Sequence, residues 1–243
     1  MFWEWFLGII GGLSVVAIAC LLCYRYGKNT GIKIGADNLL SLFLKSGYDQ
    51  KVKAFKIQNK FVKKGGIVFV GDSITQDYPI HDFYHNLSVY NRGIGGDTSE
   101  GLLKRLDESI FDLEPKTVVL LIGTNDLALL KTTDVIIANN ISLIIQKIHE
   151  KLPNTLILLQ SIYPINSTID PFSVSARHND DIRKVNLLLK DVKNVTYIDL
   201  DQDLSDEQGN LAKDLTVEGL HINANGYEVI TRKIMPYLIK DKE

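Results

Sequence analysis

Short apolar runs recur through the second part of the chain, each followed by a longer stretch of helical periodicity. The runs cover residues 67–70, 89–90, 118–122, 156–159 and 195–198; they are rich in Val, Ile and Leu and too short for helices. Strands buried on both faces of a parallel sheet have this character. Between them the spacing predicts helices over residues 99–111, 134–152, 180–192 and 225–239. In the second of these, Ile136, Ile137, Ile141, Ile144, Ile145 and Ile148 fall on one face. The alternation predicts an α/β sandwich around a five-stranded parallel sheet.

At 243 residues, with 45% apolar and 23% charged, the chain has the make-up of one globular domain, not of a disordered, collagenous or disulfide-stapled protein. The net charge of −2 argues against nucleic acid as the main partner. The charge is unevenly spread. Residues 1–64 carry ten Lys and Arg against Glu4, Asp37 and Asp49, whereas the remainder is acidic.

Residues 6–22 read FLGIIGGLSVVAIACLL without a charge, and with their flanks they are long enough for one membrane-spanning helix. Trp3, Trp5 and Tyr24 stand at its ends, where aromatic residues favour the lipid interface. A cleaved signal peptide would start with a basic segment, and Glu4 is the early charge here. Cys20 follows Ala17-Ile18-Ala19, a faint lipoprotein-like box, but apolar residues continue beyond it. The expectation is a single-pass membrane protein, with an anchor over residues 1–30, a basic helical linker over 31–64 and a catalytic domain over 65–243. Arg25, Lys28 and Lys33 after the span favour a cytoplasmic domain.

In open α/β sheets, function gathers at the carboxyl ends of the strands. After the first run comes Gly71-Asp72-Ser73-Ile74-Thr75, which places Ser73 at a helix start among free N–H groups. Ser73 there is either a nucleophile or, like Asp72, a helix cap. After the second comes a glycine-rich turn, Asn91-Arg92-Gly93-Ile94-Gly95-Gly96-Asp97-Thr98, without the dinucleotide fingerprint or a P-loop lysine. After the third comes Gly123-Thr124-Asn125-Asp126, where Asn125 is an oxyanion donor or a turn residue. Late in the chain His221 follows Glu218 by three residues, the spacing of a base with its orienting acid. Asp82 and His85 repeat that spacing, but before the second strand, away from the carboxyl edge.

The order of these blocks resembles the SGNH, or GDSL-type, hydrolases. GDSIT (71–75), NRGIGGDTSEGLLKRL (91–106), GTND (123–126) and GLHINANGY (219–227) fit that family in sequence, and the branch they resemble is that of platelet-activating-factor acetylhydrolases and lysophospholipase-like esterases. The resemblance implies a flavodoxin-like three-layer α/β/α fold and a serine esterase without metal or cofactor, acting through an acyl-enzyme. It implies Ser73 as nucleophile, His221 as base, and the Ser73 and Gly96 N–H groups with the Asn125 side chain as oxyanion hole. The family's usual Asp three residues before the His is Glu218 here, and Asp214 is the reserve acid. The substrate implied is a small acyl ester of a lipid or glycan. An O-acyltransferase using the same residues and a silent membrane-anchored binding protein are the alternatives. Membrane-tethered members of the family often work outside the cell, opposite to the side the flanking charges favour. The oligomeric state is not readable.

Overall fold

The computed structural model describes residues 36–239. The expected membrane span lies outside them; among the described residues no helix is long and apolar enough to cross a membrane. The chain divides into two compact units, Met1–Gly47 and Tyr48–Glu243. Of the first, the described part is the opening of helix α1 (Ala36–Gln58), where Leu42 and Phe43 are exposed.

The second unit is built on five parallel strands: β1 (Ile67–Gly71), β2 (Val89–Gly93), β3 (Thr117–Leu121), β4 (Leu156–Gln160) and β5 (Thr196–Ile198). Their order is β2-β1-β3-β4-β5. The order reverses after β1, so the crevice between the strand ends there is the natural place for a site. Residues alternate between two apolar layers, as strand geometry requires. Val68, Val70, Val118, Leu120, Ile157 and Leu159 pack against Ile137, Ile141, Ile144 and Ile148 of α6 (Asp134–Lys151) and Ile182, Val185 and Leu189 of α8 (Asn179–Lys190). Ile67, Phe69, Val119, Leu121 and Leu158 face Tyr227, Ile230, Ile234 and Leu238 of α10 (Ala224–Ile239). Truncating one of these buried Ile or Leu residues to Ala costs about 2–5 kcal/mol in such cores.

The helix expected over residues 99–111 is broken into α4 (Ser99–Leu103), α5 (Leu106–Ser109) and a 3₁₀ turn at Phe111–Leu113. The break falls at Arg105, whose backbone leaves the helical region (φ −126°, ψ 21°). Its side chain turns inward, donating to Asp97, to Ser109 Oγ and to the carbonyls of Arg92 and Gly71. Strand β2 runs three residues past its apolar pair because its polar residues are satisfied. Asn91 Nδ2 donates to Thr75 O at 2.7 Å, and Arg92 lies over the Phe55 ring and donates to Asn59 Oδ1 at 2.7 Å. Residues 48–63 thus pack with the sheet: Tyr48 OH reaches Gly101 O at 2.8 Å, Phe55 is buried, and Tyr90 OH donates to Lys63 O.

Candidate active site

Strand β1 ends at Gly71, where a Cβ would stand 2.0 Å from Leu121 O, so only glycine lets the two backbones pass this closely. Asp72 then caps α2 (Ser73–Gln76), its side chain accepting from Ile74 N at 2.9 Å, and Ser73 becomes the first helical residue. A first-turn N–H has no partner within the helix, so the Ser73 amide is a donor in waiting. The helix is fixed from beneath. Tyr227 OH donates to Ile74 O at 2.8 Å, and the Tyr227 ring stacks on Tyr78, 4.6 Å between centroids.

The loop before α10 brings His221 to Ser73. Ser73 Oγ and His221 Nε2 are 3.0 Å apart. His221 Nδ1 hydrogen-bonds Glu218 Oε1, which also accepts the His221 backbone N–H at 3.2 Å. The exposed Asp214 lies in the 3₁₀ turn Lys213–Leu215, where its carbonyl accepts from Asn223 and Asn225. Glu218, not Asp214, therefore holds the ring. His85 is exposed and bonded to Asn86 in the loop before β2.

The glycine-rich turn after β2 closes with Asp97 N donating to Ile94 O at 3.1 Å. Gly96 occupies its third position with φ +74°, a conformation that favours glycine. A Cβ on Gly95 would lie 3.9 Å from Ser73 Cβ, so the turn sits against the helix that Ser73 opens. Asn125 is buried and joins this turn, its Nδ2 donating to Asp97 O at 2.9 Å. Next to it, the buried Asp126 carboxylate accepts the Ser99 N–H and hydroxyl, fastening the loop after β3 to the start of α4.

Further buried ionisable groups surround these loops. Asp72 is 1% exposed, and its Oδ2 has no hydrogen-bond partner. Burial pushes its carboxyl up to about 7; the Ile74 N–H opposes this, the Asp97 charge adds to it, and Arg177 and His221 oppose it. Burial raises Asp97 as well, against the pull of Arg105. Arg177, at the end of the loop after β4, donates to Asn125 Oδ1 at 2.7 Å. Nothing local in the sequence distinguishes Arg177, since its partner lies 52 residues upstream. Among the described residues, no group of three or more His, Cys, Asp or Glu is placed to hold a metal ion.

This geometry offers a hydroxyl, an imidazole that can take its proton, and donors beside the hydroxyl. Residues 69–229 match the model of the GDSL-like lipase/acylhydrolase family, well over half of the chain. The chain belongs to that family. As a GDSL-type ester hydrolase it is similar to the platelet-activating factor acetylhydrolase IB subunit alpha2 of Rattus norvegicus, 28% identical over 186 residues, 72% of this chain and 79% of that protein. Among solved structures, a Streptococcus pneumonia protein described as a platelet activating factor is 30% identical with a TM-score of 0.78, covering 83% of this chain and 97% of that one. The lipase/acylhydrolase from Enterococcus faecalis is 26% identical with a TM-score of 0.61, covering 74% and 97%. The GDSL block itself is GDSIT here, with Ser73 as its serine.

Proposed function

We propose that this GDSL-type hydrolase cleaves small acyl esters through an acyl-enzyme on Ser73. The observation that carries the reading is the chain of contacts from Ser73 Oγ through His221 to Glu218. As Oγ attacks the ester carbonyl, its proton passes to His221 Nε2 and a new C–O bond forms. The carbonyl electrons move to oxygen, facing the N–H groups of Ser73 and Gly96 and the Asn125 amide. When the intermediate collapses, the bond to the alcohol breaks and His221 returns the proton to the departing oxygen. Water repeats the sequence and frees the acid. Glu218 accepts the Nδ1–H of the imidazole, which leaves Nε2 facing Ser73, and stabilises the imidazolium. Relatives named acetylhydrolases favour a short acyl group, on a lipid or a glycan.

Hydrolysis of p-nitrophenyl acetate and longer esters by the full chain in detergent tests this reading. Activity lost in Ser73→Ala and His221→Ala, with folding kept, supports it; activity surviving Ser73→Ala sinks it. An enzyme that releases nitrophenol only with a sugar acceptor present is a transferase instead.

The apolar residues 6–22 and the basic flank after them support a single-pass anchor with the hydrolase domain on the cytoplasmic side. Surface cysteines introduced into the domain should resist an impermeant thiol reagent on intact cells and react after lysis. Labelling without lysis rejects this topology.

A further inference from the structure

A primary amide is a hydrogen-bond acceptor on one side and a double donor on the other, and its function depends on which side faces the substrate. At Asn125 both orientations are decided by neighbours. Nδ2 donates one hydrogen to Asp97 O at 2.9 Å, and Oδ1 accepts from Arg177 Nη2 at 2.7 Å. A half-turn of the amide would set Oδ1 against the Asp97 carbonyl and Nδ2 against the guanidinium, two like-with-like contacts. The observed orientation leaves the second Nδ2 hydrogen for a ligand.

Arg177 itself is buried at 5% exposure, yet its hydrogen-bond partners are all neutral. Nε donates to Thr124 O and Thr124 Oγ1, each at 3.0 Å, and Nη1 to Val174 O at 2.9 Å. Of the other two buried arginines, Arg105 has Asp97 as ion-pair partner, whereas Arg92 lies over the Phe55 ring and donates to Asn59 Oδ1. The Asp72 charge acts on Arg177 as well, but the groups its guanidinium touches are carbonyls, a hydroxyl and one amide oxygen. A charged donor on Oδ1 polarises the amide and strengthens its remaining N–H as a donor. The partners are also specific to a planar fork, since Thr124, Asn125 and Val174 are reached by different nitrogens, which an ammonium cannot reproduce.

We propose that Arg177 is a positioning residue of the oxyanion hole: it fixes the Asn125 amide in its donating orientation and strengthens the N–H that meets the developing negative charge. This rests on Asn125 being the hole donor, as in the function proposed above. The same loop also supports the base. Asn166 N donates to Gly219 O at 2.7 Å, between Glu218 and His221. Residues 166–177 thus bear on both the proton acceptor and the oxyanion donor.

A kinetic cycle on the full chain with p-nitrophenyl acetate tests the proposal, using Asn125→Ala, Arg177→Met and the double variant. Asn125→Ala should lower kcat by about 10²-fold or more. Arg177→Met should lower kcat by about tenfold, with KM changed less than about threefold, as for loss of an interaction made in the transition state. In the Asn125→Ala background the same Arg177→Met change should cost less than about twofold, because its target is gone. Added guanidinium ion should restore part of kcat to Arg177→Ala but none to Arg177→Ala/Asn125→Ala. An Arg177 effect that persists undiminished without Asn125 overturns the proposal while leaving the donor role of Asn125 intact. Full turnover in Asn125→Ala removes the donor role and the proposal with it. If Arg177→Met does not fold, Arg177→Lys carries the same cycle, with the same two outcomes.

Discussion

Glu218 Oε1 accepts from both the ring Nδ1 and the backbone N–H of His221, so the two side chains are locked together within a single loop turn. The extra methylene of Glu over Asp is accommodated by this doubled contact. Glu218→Ala should therefore lower kcat by about 10⁴-fold, as loss of a triad acid does. Glu218→Asp should fall between Ala and wild type, because the loop is set for the longer side chain. Asp214→Ala should keep near-normal turnover. Steady-state kinetics on the three variants checks this ordering; equal losses in Glu218→Ala and Asp214→Ala would contradict it.

Asp72 gives the fold a pH dependence with a defined sign. A carboxyl raised from 3.8 to about 7 keeps, in the folded protein, a proton that the unfolded chain has released. Its contribution to stability therefore falls as the pH rises from about 4 to 7, and above 7 the full penalty is present. Asp72→Asn keeps a side-chain oxygen to cap Ile74 N and removes the ionisation. The variant should gain stability relative to wild type at pH 8, on the order of 1–4 kcal/mol, and show little difference at pH 4. Melting temperatures at the two pH values decide it, and an equal shift at both would remove Asp72 as the cause.

The Arg105–Asp97 pair should behave as a unit. Both side chains are almost completely enclosed, and Arg105 also carries the carbonyls of Arg92 and Gly71. Removing either partner leaves the other charge buried alone, which typically costs about 3–5 kcal/mol. Urea denaturation of Arg105→Ala and Asp97→Ala should give similar losses, and the double variant should lose less than their sum.

Gly219 lies between the acid and the base with φ +98°, and a Cβ there would stand 2.2 Å from Asn166 O. Gly219→Ala must move the loop, at a strain of about 1–3 kcal/mol. A displacement of about 1 Å at His221 is enough to lower kcat by about 10²-fold. The expected result is a large loss of turnover with a modest fall in melting temperature. Unchanged turnover would mean that the loop yields elsewhere.

The sheet and the long helices were legible because their signal is local. Apolar runs and the Ile stripe from Ile137 to Ile148 depend on neighbours a few residues apart. Ser73, Glu218 and His221 were legible because each lies beside a compact block at a strand end or before a helix. Arg105 and Arg177 were not. A buried arginine carries the same local pattern as a solvated one, and what buries it lies elsewhere in the chain: Gly71 and Arg92 for the first, Thr124 and Asn125 for the second. The polar end of β2 was missed for the same reason, since Asn91 and Arg92 read as loop until Thr75, Phe55 and Asn59 are placed beside them.

The packing of residues 48–63 along β2 bears on where this enzyme can be cut. β2 is an edge strand, and an edge left bare is a template for pairing with another chain. The family model matches from residue 69, and every candidate site residue lies beyond it. A fragment trimmed to that boundary would retain the complete chemistry yet leave Arg92 without Phe55 and Asn59 and lose the Tyr48 tie to Gly101. The stretch that carries the site is shorter than the stretch that packs around it, and the difference takes in the second half of one helix.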